Sequence, residues 1–329
     1  MNEFALIEAY FKSLSERVGG TRCDLGIGDD AALVTVPHGK QLAITTDTLI
    51  EGVHFPRDTF PADIGYKALA VNLSDLAAMG AKPTWFTLCL SLPAFSTAWL
   101  DSFCSGLEEM MRQQPITLIG GDTTRGPLSI SIQAMGLVDS GCALRRSTAR
   151  PGDDIYVSGR VGEAGVGLRV VQRQLAVDGE SLLAAVKRLN RPQPRNALGE
   201  ALTSLATACI DVSDGLLADM NHLLNKSQVG ADIDLDKVPI AAALSSGTLI
   251  SRLELPDVTT QGLRRFAASA GDDYELCFTA APAQRAQIEL AAQQAGVPVT
   301  RFGTVTQAPG IFDSARGGEM ISPHGYSHF

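Results

Sequence analysis

Apolar residues near the start of the chain recur at helical spacing, with Leu6, Ile7, Tyr10, Phe11 and Leu14 on one face. That spacing predicts a helix ending at Gly19-Gly20. A second periodic stretch, rich in Ala and Leu, predicts a helix over Ala62–Met79, stopped by Gly80, in which Asn72 and Asp75 share a face. Thr97–Gln113 reads as an amphipathic helix. Between these lie β-type runs at Leu42–Ile44, Pro83–Leu92, Ile116–Ile119 and Leu128–Val138. The second half predicts strands at Asp154–Ser158, Cys209–Asp211 and Ala231–Leu235, another after Asp273, and a strand pair within Val297–Val305. Helices are expected up to Leu175, over Asn196–Ala206, up to Asn225 and over Pro282–Ala295. Arg191-Pro-Gln-Pro-Arg195 reads as a stiff exposed loop, and Pro239–Leu253 has the least readable pattern.

Polar residues break these runs in a recurrent way. The run at Leu42 turns at Thr45-Thr46-Asp47 into hydroxyls and a carboxylate, with His54 shortly after, and predicts a strand ending in oxygen ligands. Gly26-Ile-Gly-Asp29-Asp30 predicts a turn leading into a strand through Val34. Ile116–Ile119 is expected to run into a loop, Gly120-Gly121-Asp122-Thr-Thr-Arg125-Gly126, whose amides and guanidinium suit a phosphate chain and whose carboxylate suits a metal. After Asp211, either Ser213 or Asp214 is positioned to cap a helix, whose first amides suit an anion. Gly271-Asp272-Asp273 forms a further glycine–acid turn. Each turn alone has a conformational explanation, since Asp and Gly favour turns and simple capping needs only one polar residue. Their recurrence beside predicted strands is most economically explained by several metal ions serving phosphoryl transfer, a chemistry of positioning and charge neutralisation that needs no nucleophilic side chain.

Composition narrows the classes. A length of 329 residues corresponds to about two domains, and 45% hydrophobic residues is ample for packed cores. Arg145-Arg146-Ser147 followed by Arg150-Pro-Gly-Asp153 marks the division, giving an N-terminal domain over 1–149 and a C-terminal domain over 150–329. The net charge of −9 argues against a nucleic-acid partner but permits a phosphorylated ligand when Mg²⁺ lies between it and the acids. Six scattered cysteines without C-x-x-C spacing fit reduced thiols in a cytoplasmic protein. A charged N-terminus and the lack of a long uncharged apolar run predict neither signal peptide nor membrane association. There is no G-x-x-x-x-G-K-[ST], H-E-x-x-H or nucleophile elbow, and the glycines after Ser158 are wrongly spaced for a dinucleotide fingerprint.

Taken in order, the motifs resemble those of bacterial thiamine-monophosphate kinases, within the superfamily of aminoimidazole ribonucleotide synthetase. They are Gly26-Ile-Gly-Asp-Asp30, Thr45-Thr-Asp-Thr48, Gly52-x-His54-Phe55, Ala70-Val-Asn-Leu-Ser-Asp-Leu-Ala-Ala-Met79, Gly120-Gly-Asp-Thr-Thr-Arg125, Asp211-x-Ser-Asp-Gly-Leu216, Gly271-Asp-Asp-Tyr-Glu-Leu276 and the terminal Gly325-Tyr-x-His-Phe329. The resemblance implies an α/β (α+β) two-domain fold, with an N-terminal mixed-sheet domain that pairs in a homodimer and a C-terminal α/β domain that completes the active site. It implies transfer from ATP to thiamine monophosphate with several Mg²⁺ ions and no covalent nucleophile. Asp30, Thr45, Thr46, Asp47, Asp75, Asp122, Asp211 and Asp214 would be metal ligands, directly or through water. Gly121, Asp122, Arg146 and Ser213 would meet ATP, while His54, Asp272 and Tyr326 would meet the thiamine phosphate. The family has Glu in the third turn where this chain has Asp272, with Asp273 and Glu275 beside it as further candidate contacts.

Overall fold

The computed structural model describes residues 3–20, 23–245, 249–251 and 259–326. They form two compact units, one of residues 1–76 with 81–143 and one of residues 77–80 with 144–329, taken here without the residues outside those ranges. The boundary in space thus falls between Ala143 and Leu144.

The first unit begins with α1 (Glu3–Leu6) and α2 (Ser13–Val18), joined by a π-helical stretch, Ile7–Lys12, into one helical rod. Residues 23–39 carry only isolated bridges, including Leu25↔Leu33, in place of the strand expected through Val34. Main-chain bonds between Leu25 and Leu33 pinch this segment into a loop that turns back on itself. Then follow β1 (Lys40–Ile50), α3 (Pro61–Ala78), β2 (Lys82–Leu92), α4 (Thr97–Gln113), β3 (Thr117–Arg125) and β4 (Ser129–Asp139). The four strands form one mixed sheet in the order β1-β4-β2-β3, with β2 and β3 parallel and the other pairs antiparallel. One expected strand end and one expected loop are in fact strand interior. β1 continues through Thr45-Thr46-Asp47 to Ile50, and β3 continues through Gly120–Arg125. In each case a neighbouring strand supplies ladder partners for the polar residues, which local composition does not reveal.

Helices α3 and α4 cross at two glycines. A Cβ on Gly106 would lie 1.8 Å from the carbonyl oxygen of Ala62, and one on Gly65 would lie 2.2 Å from that of Phe103. The helices therefore meet main chain to main chain, which fixes α3 and the polar face it carries.

The second unit comprises β5 (Asp154–Ser158), α5 (Glu163–Val171), β6 (Ala176–Val177), α6 (Gly179–Asn190), α7 (Asn196–Leu202), β7 (Ala208–Asp211), α8 (Leu216–Ser227), β8 (Gly230–Ile233), α9 (Ala242–Ser245), β9 (Leu249–Ser251), α10 (Thr260–Ser269), β10 (Leu276–Ala280), α11 (Arg285–Ala295), β11 (Val299–Thr306), β12 (Gly310–Asp313) and β13 (Glu319–Met320). Seven strands form a mixed sheet ordered β13-β12-β8-β11-β5-β10-β7. The strand pair expected within Val297–Val305 is the single strand β11. A core of Ile155, Val157, Ile210, Leu216, Leu223, Phe302 and their neighbours holds helices against it.

Glu275, 1% exposed, is the electrostatic anchor of this unit. Arg188 and Arg195 both bond its carboxylate, Arg195 with Nε at 2.7 Å, and Ser158 Oγ donates to it as well. The stretch Arg191–Arg195, expected to be an exposed loop, is mostly buried or half-buried because Arg195 is drawn to this acid. Removing one partner of a buried charge cluster leaves the others uncompensated. Glu275→Gln is therefore expected to lose about 3 kcal/mol or more in denaturant unfolding. Gly106→Val, which drives a branched side chain into the helix crossing, is expected to cost at least about 1–3 kcal/mol in the same measurement.

Candidate functional site

The first unit's candidate residues divide by the two-residue period of β1. Thr45 Oγ1 bonds the Asp75 carboxylate on α3, whereas Thr46 Oγ1 accepts from Gln133 Nε2 of β4 at 3.3 Å, beside a Thr48–Ser131 hydroxyl pair. Alternation thus turns Thr45 and Asp47 toward α3 and turns Thr46 away from them. The main-chain amide of Asp47 donates to Asn72 Oδ1 at 3.1 Å, and Asn72 Nδ2 donates to Ala68 O at 3.0 Å. Asn72 is wholly buried, so the polar face read from the helix pattern has its partners on β1. Burial first and the neighbouring Asp75 second push the Asp47 carboxyl up to about 6.

His54 sits in the turn after β1. Its Nδ1 accepts from Ile50 N at 3.0 Å, which puts the ring proton of the neutral imidazole on Nε2. Lys67 of α3, 3% exposed, donates to the His54 carbonyl at 3.4 Å and ties this turn to the helix.

Asp30, Gly121 and Asp122 line one cleft of about 510 Å³ together with the Gly26–Ala32 loop, Phe11 and Ile119. Both carboxylates are exposed. Gly121 has φ +153, and a Cβ there would fall 1.8 Å from the Leu88 carbonyl oxygen, so no side chain fits between β3 and β2 at this point. The glycine is thus required by the close approach of β2, while its exposed main chain lines the cleft.

In the second unit β7 delivers Asp211, which is buried. Neither Ser213 nor Asp214 caps α8; the N-cap is Gly215, with no side-chain bond. Instead Asp219, one turn into the helix and 4% exposed, accepts from the amides of Ser213 and Asp214, each at 3.0 Å. Burial raises the Asp219 carboxyl to about 7, with the two amide bonds opposing and Asp214 adding to the rise. The Asp272 amide donates to Ser213 O and the Tyr274 amide to Val212 O, both at 2.8 Å, while Tyr274 OH donates to Asp272 Oδ1 at 3.1 Å. Tyr326 donates its amide to Asp214 O at 3.0 Å and leaves its ring half exposed. Residues 327–329 of the terminal motif lie outside the described residues. Arg146 is exposed, and its carbonyl accepts from Ser227 Oγ at 2.8 Å.

Asp273 and Glu275 do not stand beside Asp272 as alternative contacts. Asp273 is wholly buried, accepts from Gly162 N at 2.7 Å, and is raised to about 8 by burial; Glu275 is held by its two arginines. The proposed ligands are split between the units: Asp30, Thr45, Thr46, Asp47, Asp75 and Asp122 in the first, Asp211 and Asp214 in the second. Among the described residues no group of three or more His, Cys, Asp or Glu side chains is arranged to hold a metal ion. The donors present are nonetheless oxygen throughout, and Asp47 and Asp75 crowd each other as a cation would relieve, so the set fits Mg²⁺. Sequence reading missed Asp219 and Lys67 as supports. The signal was available for both: a charged residue on an otherwise apolar helix face needs a buried partner.

Residues 28–138 match the N-terminal domain, and residues 150–313 the C-terminal domain, of the AIR synthase related proteins. The thiamine-monophosphate kinase of Escherichia coli K12 is 46% identical over 332 aligned residues, covering 99% of this chain and 98% of the relative. That of Bacillus subtilis is 32% identical over 340, covering all of both. Among solved structures, thiamine-monophosphate kinase from Stenotrophomonas maltophilia K279a superposes with a TM-score of 0.84 at 45% identity, covering 98% of each chain. AaThiL complexed with AMPPCP and TMP gives 0.77 at 29% identity, covering 99% of this chain and 97% of that one. With its two-domain α/β architecture and its ordered glycine–acid motifs, the chain belongs to the thiamine-monophosphate kinase family of AIR synthase related proteins.

Proposed function

We propose that the chain transfers the γ-phosphoryl group of ATP to thiamine monophosphate, giving ADP and thiamine diphosphate, the last step in making that cofactor. The observation that carries this reading is the 46% identity, spanning nearly the whole chain, with thiamine-monophosphate kinase. A phosphate oxygen of the acceptor forms the new bond to the γ-phosphorus as the bond to the ADP oxygen breaks. The acceptor is already an oxyanion, so no side chain needs to act as a covalent nucleophile.

Gly121, Asp122, Arg146 and Ser213 meet ATP: the exposed main chain at Gly121 lines the cleft, and the exposed Arg146 guanidinium supplies positive charge. His54, Asp272 and Tyr326 meet the thiamine phosphate, with the Nε2 proton of His54 suited to an anionic oxygen and the half-exposed Tyr326 ring suited to stacking. Asp30, Thr45, Thr46, Asp47, Asp75, Asp122, Asp211 and Asp214 hold Mg²⁺, which neutralises charge on the transferring phosphates when bound. Thr46 belongs to that set directly or through water, although its hydroxyl is turned to Gln133 on the other face of β1. On this reading residues 1–149 are the ATP- and metal-binding domain, and residues 150–329 complete the active site with Asp211, Ser213, Asp214, Asp272 and Tyr326. Arg146 packs with the second compact unit.

The same reading assigns a homodimer in the cytoplasm. Ile44 and Ile50 are exposed on the outward face of β1, apolar surface that a second subunit would cover. All six cysteines are free thiols, as a reducing compartment maintains them. No helix among the described residues is long and apolar enough to cross a membrane.

Product analysis after incubation with ATP, Mg²⁺ and thiamine monophosphate tests the reaction, with free thiamine as a parallel acceptor. Thiamine diphosphate is expected only with the monophosphate and only with Mg²⁺; its absence overturns the reading. Asp47→Asn and Asp122→Asn are each expected to lower turnover at least about a hundred-fold with the circular dichroism spectrum unchanged. Wild-type turnover in both variants would remove the metal assignment.

Linkage gives a separate expectation. A raised carboxyl binds its proton more tightly in the folded state, so the metal-free protein loses stability as pH climbs from the ordinary carboxylate range through about 6. The penalty is fully present above that pH and is relieved by Mg²⁺ with nucleotide. Thermal melts from about pH 4 to about pH 8 should fall less steeply for Asp47→Asn than for wild type, and Mg²⁺ should raise the wild-type midpoint more. Superimposable curves would show that Asp47 carries no such strain.

A further inference from the structure

Val212, Ser213 and Asp214 form a short bridge between β7 and α8 whose main chain is bonded on every side. Val212 N donates to Glu275 O, and the carbonyls of Val212, Ser213 and Asp214 accept from Tyr274, Asp272 and Tyr326 respectively, at 2.8 to 3.0 Å. The two remaining groups, the amides of Ser213 and Asp214, both go to one oxygen, Oδ2 of Asp219. Every N–H and C=O of the bridge is thereby paired.

The surroundings leave the bridge no slack. A Cβ on Gly215 would lie 2.6 Å from Ser269 O, and one on Gly271 would lie 2.5 Å from Ser213 O. Asp272 and Tyr274 both adopt left-handed backbone, φ 67 and φ 50. An aromatic residue holds that conformation only where its environment over-determines it, and here the bonds to Val212 and Ser213 do so. The residues assigned above to nucleotide (Ser213), metal (Asp214) and acceptor (Asp272, Tyr326) therefore share a single main-chain lattice.

We propose that Asp219 is a positioning residue: its buried carboxylate clamps the Ser213–Asp214 amides and so sets, through one bridge, how this unit presents its nucleotide and acceptor contacts. The proposal rests on the site assignment under the proposed function. It makes a demand that core filling does not: releasing the clamp must weaken the handling of both co-substrates together.

The test compares Asp219→Asn, which keeps an oxygen able to accept from both amides, with Asp219→Leu, which keeps the branched skeleton and removes the acceptor. Steady-state constants for ATP and thiamine monophosphate are measured on the full chain, with calorimetric binding of a non-hydrolysable ATP analogue. Asp219→Leu is expected to raise KM for both co-substrates and to lower kcat/KM about ten-fold or more, while Asp219→Asn stays within about three-fold of wild type. The proposal is overturned by wild-type KM values in a folded Asp219→Leu, by a loss confined to one co-substrate, or by equal damage in the Asn variant. If Asp219→Leu does not fold, amide hydrogen exchange in the wild type decides: slow exchange at both Ser213 and Asp214 is required, and fast exchange at both sinks the clamp. A wild type that binds the analogue but makes no thiamine diphosphate would refute the reaction alone, leaving analogue binding by the variants and the exchange measurement to judge Asp219.

Discussion

A carboxylate taken out of water must be paired, hydrogen-bonded or protonated, and this constraint governs the parts of the molecule that surround the candidate site. Glu275 is paired with two guanidiniums. Asp273 rests on the amides that open α5, and Asp219 on those that precede α8. Asp47 has its amide bonded by Asn72 and its carboxylate beside Asp75. The first three carry partners within their own unit, while the fourth faces a second carboxylate, the crowding that makes Asp47 a candidate for a cation under the proposed function.

The buried structural acids and the candidate site residues are interleaved in sequence and sorted by geometry. Asp272 lies between the half-buried Gly271 and the buried Asp273, and its carboxylate accepts from the Tyr274 hydroxyl two residues on. Thr45 and Thr46 are adjacent, yet the strand period sends their hydroxyls to opposite faces. Placement of each functional group is therefore a property of the lattice it hangs from. A bottom-up description of chemistry here has to begin with main-chain bonds.

Much of this was legible in the residues. Helices with strong periodicity, α3 and α4, lie where apolar spacing puts them, because their buried faces are defined within each helix. The pairing of Asn72 and Asp75 on one face of α3 likewise anticipated their shared attention to β1. Legibility failed where a residue's state is set by distant chain. Gly120–Arg125 has the composition of a loop but is held as strand by β2, and Arg195 has the look of surface but is recruited by Glu275, eighty residues on. Ser213 and Asp214 look like caps, yet α8 has no side-chain cap and the amides of both are held by Asp219, further along the helix. Local propensity cannot report an interaction whose partner is remote.

The crossing of α3 and α4 has a consequence for how such a chain can drift. At Gly165 the space for a side chain is closed by the methyl of Ala270, so trimming the neighbour reopens it. At Gly65 and Gly106 it is closed by carbonyl oxygens, which every amino acid carries. No substitution elsewhere can make room there without moving a helix. These two positions are thus shut to compensatory change, and sequence divergence must flow around the helix pair that carries Asn72 and Asp75 rather than through it.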